Sequence, residues 1–488
     1  MKTRPLERIS VRSFALAVAL LALCGCVVGP DPQDLPAPAV PAAFREAEAP
    51  ATEAPAAEAP TAEALGDTPW WESFSDPALT HLVTTGLENN ADVRAAATRV
   101  AEARAALGIR ESALYPNLDA TASAGRVRES DNQPLGGGTF DYYGLGFGTA
   151  WELDLWGRVR RSVEAASFDA TAADSLLLDM QRSIGAEIAA QYIQVRGFQR
   201  QLETTRRGVE IQTKLASITD AMLERGAAKP EDADRAHARL SRTRSGIPPL
   251  EAAVKVGTQR LALLCVLPPE DVGALVAAPS RLPETPLPPG VSVPSTVLRA
   301  RPDVAAAASA LSAEVARIGV AEADLLPRIS LSGNLGLSST DIDNLFSSDS
   351  VAFGVGPSIR WPLFNFGRVR SQIRAQGARK EAALIRYEQV VRQAVAEVEM
   401  ALAERRGALR QRDTLRQASE ASTRAQKRAQ VRYERGADPL FSVLDAERER
   451  LEIGSELASS QVRLLLADVA LRRALGIRGD WEADATVH

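Results

Sequence analysis

The residues of this chain that could do chemistry are few and far apart. Histidine, the side chain best suited to moving protons near neutral pH, occurs only at His81, His237 and His488. No two of them share a metal-ligand spacing. The chain also has no phosphate-cradling glycine loop and no nucleophile-elbow sequence. His237 falls in a polar helical stretch and reads as exposed. Cys265, within Leu263-Leu264-Cys265-Val266-Leu267, reads as a small buried apolar residue, which leaves no disulfide framework and no thiolate cluster. This inventory points away from catalysis and from any resident metal or dissociable cofactor.

Cys26 is a different case. Lys2, Arg4, Arg8 and Arg12 precede a short apolar run, Phe14 to Leu23. That run is too short for a comfortable membrane-spanning helix, so residues 1–25 read as a secretory signal. Leu23-Cys24-Gly25-Cys26 looks like a bacterial lipobox, with cleavage before Cys26 and a lipid on its sulfur. An ordinary signal peptide with incidental cysteines is the alternative. Val28 is not the aspartate that resembles an inner-membrane retention signal, which favours the outer membrane.

Removing the signal takes away four basic residues and one acidic one, so the net charge moves from −5 to −8. A mildly acidic surface argues against nucleic acid, whose binding rests on clustered Lys and Arg. Residues 26–69 then form a lipid-bearing tether rich in Ala, Pro and Glu. Glu-Ala-Pro recurs at 48, 53 and 58 without apolar periodicity, so a mobile segment is expected, with order beginning near Pro69-Trp70-Trp71.

Beyond that point the chain repeats itself. Trp151-Glu-Leu153-Asp-Leu-Trp156-Gly157-Arg158-Val159-Arg160 returns as Trp361-Pro-Leu363-Phe-Asn-Phe366-Gly367-Arg368-Val369-Arg370, 210 positions later. Leu114-Tyr-Pro116 returns as Leu325-Leu-Pro327 at 211, and Leu223-Glu-Arg-Gly226 as Tyr433-Glu-Arg-Gly436 at 210. A register held this long means two copies of one structural unit. The first spans 70–266 and the second 302–476, joined by a Pro-rich connection over 267–301 and followed by a tail over 477–488.

Each repeat carries an alternating stretch. Tyr143, Leu145, Phe147, Thr149, Trp151 and Leu153 alternate with Gly144, Gly146, Gly148, Ala150 and Glu152. Val351, Phe353, Val355, Pro357, Ile359 and Trp361 do the same against Ala352, Gly354, Gly356, Ser358 and Arg360. Weaker strands precede each, giving strand pairs over about 118–156 and 328–362. Apolar-out, polar-in alternation of this length suits a tilted strand crossing a bilayer, although a half-buried soluble sheet uses the same period. Four strands cannot close a barrel, and open edges are not tolerated in lipid. If these strands span a membrane, several chains must share one barrel.

The helices are long. No proline interrupts 158–225 or 368–435, and each run would extend about 100 Å if unbroken. Ile184, Ile188, Tyr192 and Val195, then Ile211, Leu215, Ile218 and Met222, trace the narrow stripe of coiled-coil packing. Gly226 with Pro230, and Gly436 with Pro439, end these helices and begin returning ones over 231–264 and 440–475.

Taken together, these motifs resemble the outer-membrane factor family, the TolC-like lipoproteins of tripartite efflux systems (the NodT branch). Trp70-Trp71-Glu-Ser-Phe74-Ser-Asp76-Pro77-Ala-Leu79 is similar to the family's opening motif. Leu287-Pro-Pro-Gly290-Val-Ser-Val-Pro294-Ser295 and Arg301-Pro302-Asp303-Val304 resemble its mid-chain signature. Tyr433 to Gly436 and Val443-Leu444-Asp445-Ala446 resemble its helix tip. The resemblance covers Trp70 to Gly476. It implies a mixed α and β membrane protein: a homotrimer with a twelve-stranded outer-membrane barrel continuous with a twelve-helix periplasmic tunnel. Such a trimer docks on a periplasmic adapter and an inner-membrane pump.

The resemblance also marks Asp445 and Asp232 as candidate gate residues, with Arg435 as a locking partner. Gly226, Gly436, Pro439 and Leu440 are marked as tip residues for adapter docking. The family often has a second acid three residues before Asp445; here that position is Ser442, which implies a weaker acidic ring. The competing reading is a lipid-anchored coiled-coil spacer that does not conduct.

Overall fold

The computed structural model describes residues 27–33, 40–46, 69–130, 132, 138–277, 282–284 and 294–477. The predicted signal, Cys26, most of the tether and the end of the C-terminal tail lie outside the described residues. The chain divides into two compact units. One combines Met1–Ala37, Arg99–Asp174 and Ala306–Gln389; the other combines Pro38–Thr98, Ser175–Ala305 and Val390–His488. Each unit draws on both repeats, because matching parts of the two repeats pack on each other.

The first unit is organised by an antiparallel meander of four strands: β1 (Asn117–Arg128), β2 (Thr139–Leu153), β3 (Arg328–Ser339) and β4 (Val351–Arg360). Asn117 pairs with Ala150 and Arg328 with Arg360, so both repeats hold the same internal register. Leu153 opposite Ile329 joins the repeats through β2 and β3. The indole of Trp151 donates to the Leu114 carbonyl at 3.0 Å, and that of Trp361 to the Leu325 carbonyl at 3.0 Å. One tryptophan thus fastens each strand to the turn before its partner.

Two long helices leave the sheet, α3 (Arg158–Glu224) and α9 (Arg368–Glu434), of 67 residues each. Asp154 caps the first by accepting from the backbone of Val159 at 3.0 Å and Arg160 at 2.8 Å. Each strand pair is also preceded by a helix, α2 (Ala91–Ser112) in one repeat and α8 (Pro302–Ala323) in the other. In the first unit, Arg317 on α8 reaches Asp169 on α3, and Glu314 on α8 accepts from Gln376 on α9.

Order begins earlier than the sequence predicts. Residues 27–33 run along α8 in the first unit: Ser312 donates to the Pro32 carbonyl at 2.9 Å, and Val28 donates to the Trp156 carbonyl at 3.1 Å. Gly29, at φ +101°, lies so close to α8 that a side chain on it would collide with the Gly319 backbone, and one on Gly319 would collide with the Val28 carbonyl. In the second unit, Phe44 is buried among Val297, Val398, Ala401, Leu471 and Leu475. Glu399 accepts from the backbone of Arg45 and Glu46. Composition concealed these anchors because one buried aromatic and one close glycine contact leave no periodicity.

The core of the second unit forms where α1 (Pro77–Asn89) meets α3 and the returning helices. Trp70, Trp71, Phe74, Leu79, Leu82, Ile188, Tyr192 and Leu261 are buried there. Asp76 caps α1 through the backbone of Ala78 and Leu79. The return expected over 231–264 is two helices, α4 (Pro230–Ser245) and α5 (Ile247–Cys265), meeting at Gly246. Pro248 and Pro249 remove two backbone donors, so the ladder cannot run through. The described residues of the connection over 267–301 form two short helices, α6 (Pro269–Val276) and α7 (Pro294–Ala300). The second return is continuous as α10 (Leu440–Ala474).

Candidate channel wall and helix tips

The sheet bares one apolar face. Phe147 is 55% exposed, Phe353 79% and Val355 77%, and Leu118, Leu335 and Ile359 join them. A soluble sandwich needs a layer over such a face, and the described residues supply none. The opposite face carries Gly146, Gly336, Gly354, Gly356, Ser330 and Ser358. The first repeat closes its strand end with charge: Arg158 grips Glu152 at 2.6 and 2.8 Å, and Arg160 pairs with Asp154 at 3.3 Å. In the second repeat Pro362 and Phe364 stand where Glu152 and Asp154 would be, so Arg368 and Arg370 have no such clasp.

The two helix tips are built alike. Gly226 (φ +72°) donates to Leu223 while Ala227 donates to Met222; Gly436 (φ +71°) donates to Tyr433 while Ala437 donates to Arg432. These paired bonds satisfy the last helical carbonyls and demand a left-handed residue between them. Pro439 and Leu440 open α10, and Leu440 and Phe441 stay exposed.

The predicted gate residues sit in these tips. Asp232 is exposed and accepts from the Lys229 backbone at 3.3 Å, with Arg235 at 3.9 Å. Asp445 is exposed and pairs with Arg448 at 3.0 Å, which also holds Glu452 at 3.1 Å. Arg435 is exposed near Gly436, and within one chain Arg448, not Arg435, pairs with Asp445. Asp438 engages Arg432 at 2.8 Å. His237, exposed as expected, faces Asp220 at 3.1 Å.

Sequence reasoning missed the buried charge of the second unit. Arg301, only 2% exposed, donates to Asp303 at 2.6 and 3.0 Å, to Glu397 at 2.8 Å and to the Ala474 carbonyl at 2.8 Å. Burial alone would raise the Asp303 carboxyl, but the Arg301 bonds and charge, with Arg182 behind, hold it below its ordinary value. Asp468 is fully buried against Arg405, with Arg472 over the Phe74 ring. There burial wins and pushes the Asp468 carboxyl up despite Arg405. Tyr192 donates to Asp76 at 2.8 Å and accepts from Arg196 at 2.9 Å. The motifs around Asp76 and Arg301 were legible, but their roles as buried hubs needed partners more than 90 positions away. A groove of about 790 Å³ opens between α3, α9 and α10, floored by alanines and rimmed by Glu187, Glu404 and Arg463; it gathers no convergent reactive set.

A model of the outer membrane efflux protein family matches residues 82–265 and 293–477, one stretch in each repeat. The solvent efflux pump outer membrane protein SrpC of Pseudomonas putida is 31% identical over 467 residues, covering 95% of this chain and 97% of the relative. The pyoverdine export outer membrane protein OpmQ of the same species is 30% identical over 431 residues, covering 86% and 90%. Among solved structures, the outer-membrane channel OprN is similar with a TM-score of 0.81 and 34% identity, covering 93% of this chain and all of that one. The open state of the MtrE outer membrane channel of Neisseria gonorrhoeae follows with 0.77 and 27% identity, covering 93% and 99%. With its duplicated sheet and paired long helices, this chain belongs to the outer membrane efflux protein family and acts in the outer membrane as the channel component of an efflux system.

Proposed function

We propose that three copies of the chain share one twelve-stranded barrel continuous with a twelve-helix periplasmic tunnel, and that this trimer is a passive exit duct. A periplasmic adapter docks on the tips around Gly226, Gly436, Pro439 and Leu440, and an inner-membrane pump supplies the energy. The observation that carries this reading is the sheet: four strands, two open edges and a bare apolar face cannot stand alone in a bilayer. Relatives of similar identity are named for solvent, antibiotic and pyoverdine export, which supports a duct that does not read its cargo. No catalytic step and no cofactor is assigned to the chain.

Cys26 carries the lipid in this reading. Support comes from Val28, whose bond to Trp156 holds the adjoining chain beside the aromatic end of β2. Asp445, with Asp232 as the lesser candidate, gives the tip its acidic selectivity, and Arg435 is free to reach a neighbouring copy. Light scattering of the detergent-solubilised protein, corrected for bound detergent, tests the reading. A trimer with small cation-preferring currents in planar bilayers is expected. A folded monomer would overturn it.

A further inference from the structure

The second repeat copies the first but changes the sign of its charge. At the offset of 210 positions, Glu152, Asp154 and Asp169 return as Pro362, Phe364 and Arg379. Two acids are lost and a third is replaced by a base. The arginines beside them are kept, Arg158 as Arg368 and Arg160 as Arg370.

These changes surround a cleft of about 510 Å³ in the first unit, floored by Ala165, Ala166, Ala321 and Ala375. Arg110 on α2, Arg158 on α3, Arg317 on α8 and Arg379 on α9 reach it, against two acids, Asp169 and Asp324. Both acids are already engaged. Asp169 holds Arg317, and Asp324 holds Arg328 at 2.5 Å, outside the cleft. Glu152 holds Arg158. Arg110 and Arg379 have no carboxylate at ion-pair distance among the described residues.

On the α9 side, glutamines do the positioning. Gln376 accepts from Arg379 at 3.2 Å while donating to Glu314. Gln372 accepts from Arg368 at 3.2 Å, one turn before it on α9. A glutamine oxygen aims a guanidinium without cancelling its charge. The cleft therefore keeps an excess of positive charge.

We propose that this cleft is an anion site on the inner wall of the duct, taking a small polyanion through carboxylate or phosphate oxygens. The guanidinium fork matches both groups. The inference rests on the reading that the chain forms a duct, and it adds a ligand site to the wall.

Two observations turn the cleft towards the bore. Contacts set four helices of this unit side by side. Arg104 on α2 meets Asp174 on α3 at 3.0 Å, Arg317 on α8 meets Asp169 on α3, and Glu314 on α8 meets Gln376 on α9. A cleft touched by every member of such a row lies on its concave side. The amino-terminal segment marks the other side. Ser312 and Gly319 hold residues 27–33 along one face of α8. Arg317, Val320, Ala321 and Asp324, at helical spacing, form the opposite face. Because that segment leads to the lipid-bearing Cys26 of the same reading, it runs outside the duct, and the cleft faces in.

Equilibrium dialysis of the detergent-solubilised trimer with citrate or pyrophosphate tests the site. Saturable binding of at least one of them is expected, weakening as salt rises. Arg379→Asp restores the acid of the first repeat and should abolish binding. Arg110→Gln with Arg379→Gln should weaken it about tenfold or more, whereas Arg379→Lys, which keeps the charge, should retain most of it. Both arginines are exposed, so the variants should still fold, and light scattering checks that they do. In planar bilayers the bound anion should lower the wild-type current several-fold and leave that of Arg379→Asp unchanged. A conducting trimer that binds neither anion, or binds them equally well as Arg379→Asp, overturns the anion site and leaves the duct standing. Binding that leaves the current untouched overturns its place in the bore. A folded monomer overturns the duct, and the bore with it, whatever it binds.

Discussion

Arg405 donates to Asp468 at 2.5 Å, and the aspartate is wholly removed from solvent. With Arg472 close by, two guanidiniums face this one carboxylate. A charge buried this way is tolerable only with its partner, because desolvation of each ion is otherwise uncompensated. Asp468→Ala should thus cost on the order of 3 kcal/mol of stability, read as a lowered unfolding temperature in detergent. Asp468→Leu combined with Arg405→Met should recover only part of that loss, since the buried Arg472 still loses the carboxylate that faces it.

The acids of this unit respond to pH in opposite directions. Asp303 is held below its ordinary value by Arg301 even though burial opposes this, so its stabilisation is present above the unfolded value of about 3.9 and is lost as pH falls towards its folded pKa. Asp468 is raised by burial, so the native state takes its proton more readily and gains relative stability as pH falls through its folded pKa towards about 3.9. Asp303→Asn should flatten the acid loss in a thermal-shift series from pH 6 to pH 3. An unchanged acid limb would remove Asp303 from the account.

At the tip, Arg448 holds Asp445 at 3.0 Å and Glu452 at 3.1 Å. An exposed pair of this kind is worth less than about 1 kcal/mol, so Arg448→Ala should leave thermal stability nearly unchanged. It should instead free both carboxylates and raise cation conductance several-fold in planar bilayers. Asp445→Asn should lower cation preference. Equal currents from all three proteins would remove Asp445 from the gate.

Gly226 and Gly436 adopt φ of +72° and +71° with open space where a side chain would stand. Alanine there meets no neighbour, so any cost is conformational, about 1 kcal/mol per site. Gly226→Ala and Gly436→Ala should therefore speed amide exchange of the tips and weaken adapter binding while the trimer stays intact. Asparagine, which tolerates the left-handed region, should disturb both measurements less.

Cys265 is fully buried, its thiol donates to the Leu82 carbonyl at 3.3 Å, and burial pushes its pKa up to about 12. Almost no thiolate is present at neutral pH, and reagents cannot reach it. A maleimide should label Cys265 only under denaturing conditions. Rapid labelling of the native protein would show that this core opens.

What could be read from the sequence was what repeats. The offset of 210–211 positions, the alternating strands and the proline-free runs gave element types and order, because each rests on a period of two or three to four residues. Gly226 and Gly436 were legible as caps since only their backbone geometry demanded glycine. The break at Gly246 was missed although Pro248 and Pro249 stood beside it, because the helical pattern continues on both sides.

Sequence alone therefore determined the duplicated strand and helix units, the turn residues and the family. Only the tertiary structure decided which charges are buried, as at Arg301 and Asp468, and that Phe44 and Gly29 anchor a segment that reads as a loose tether. The reason is physical. Periodicity is local and survives in a string of letters, whereas burial and ion pairing are set by partners far along the chain, such as Glu397 for Arg301 and Gly319 for Gly29.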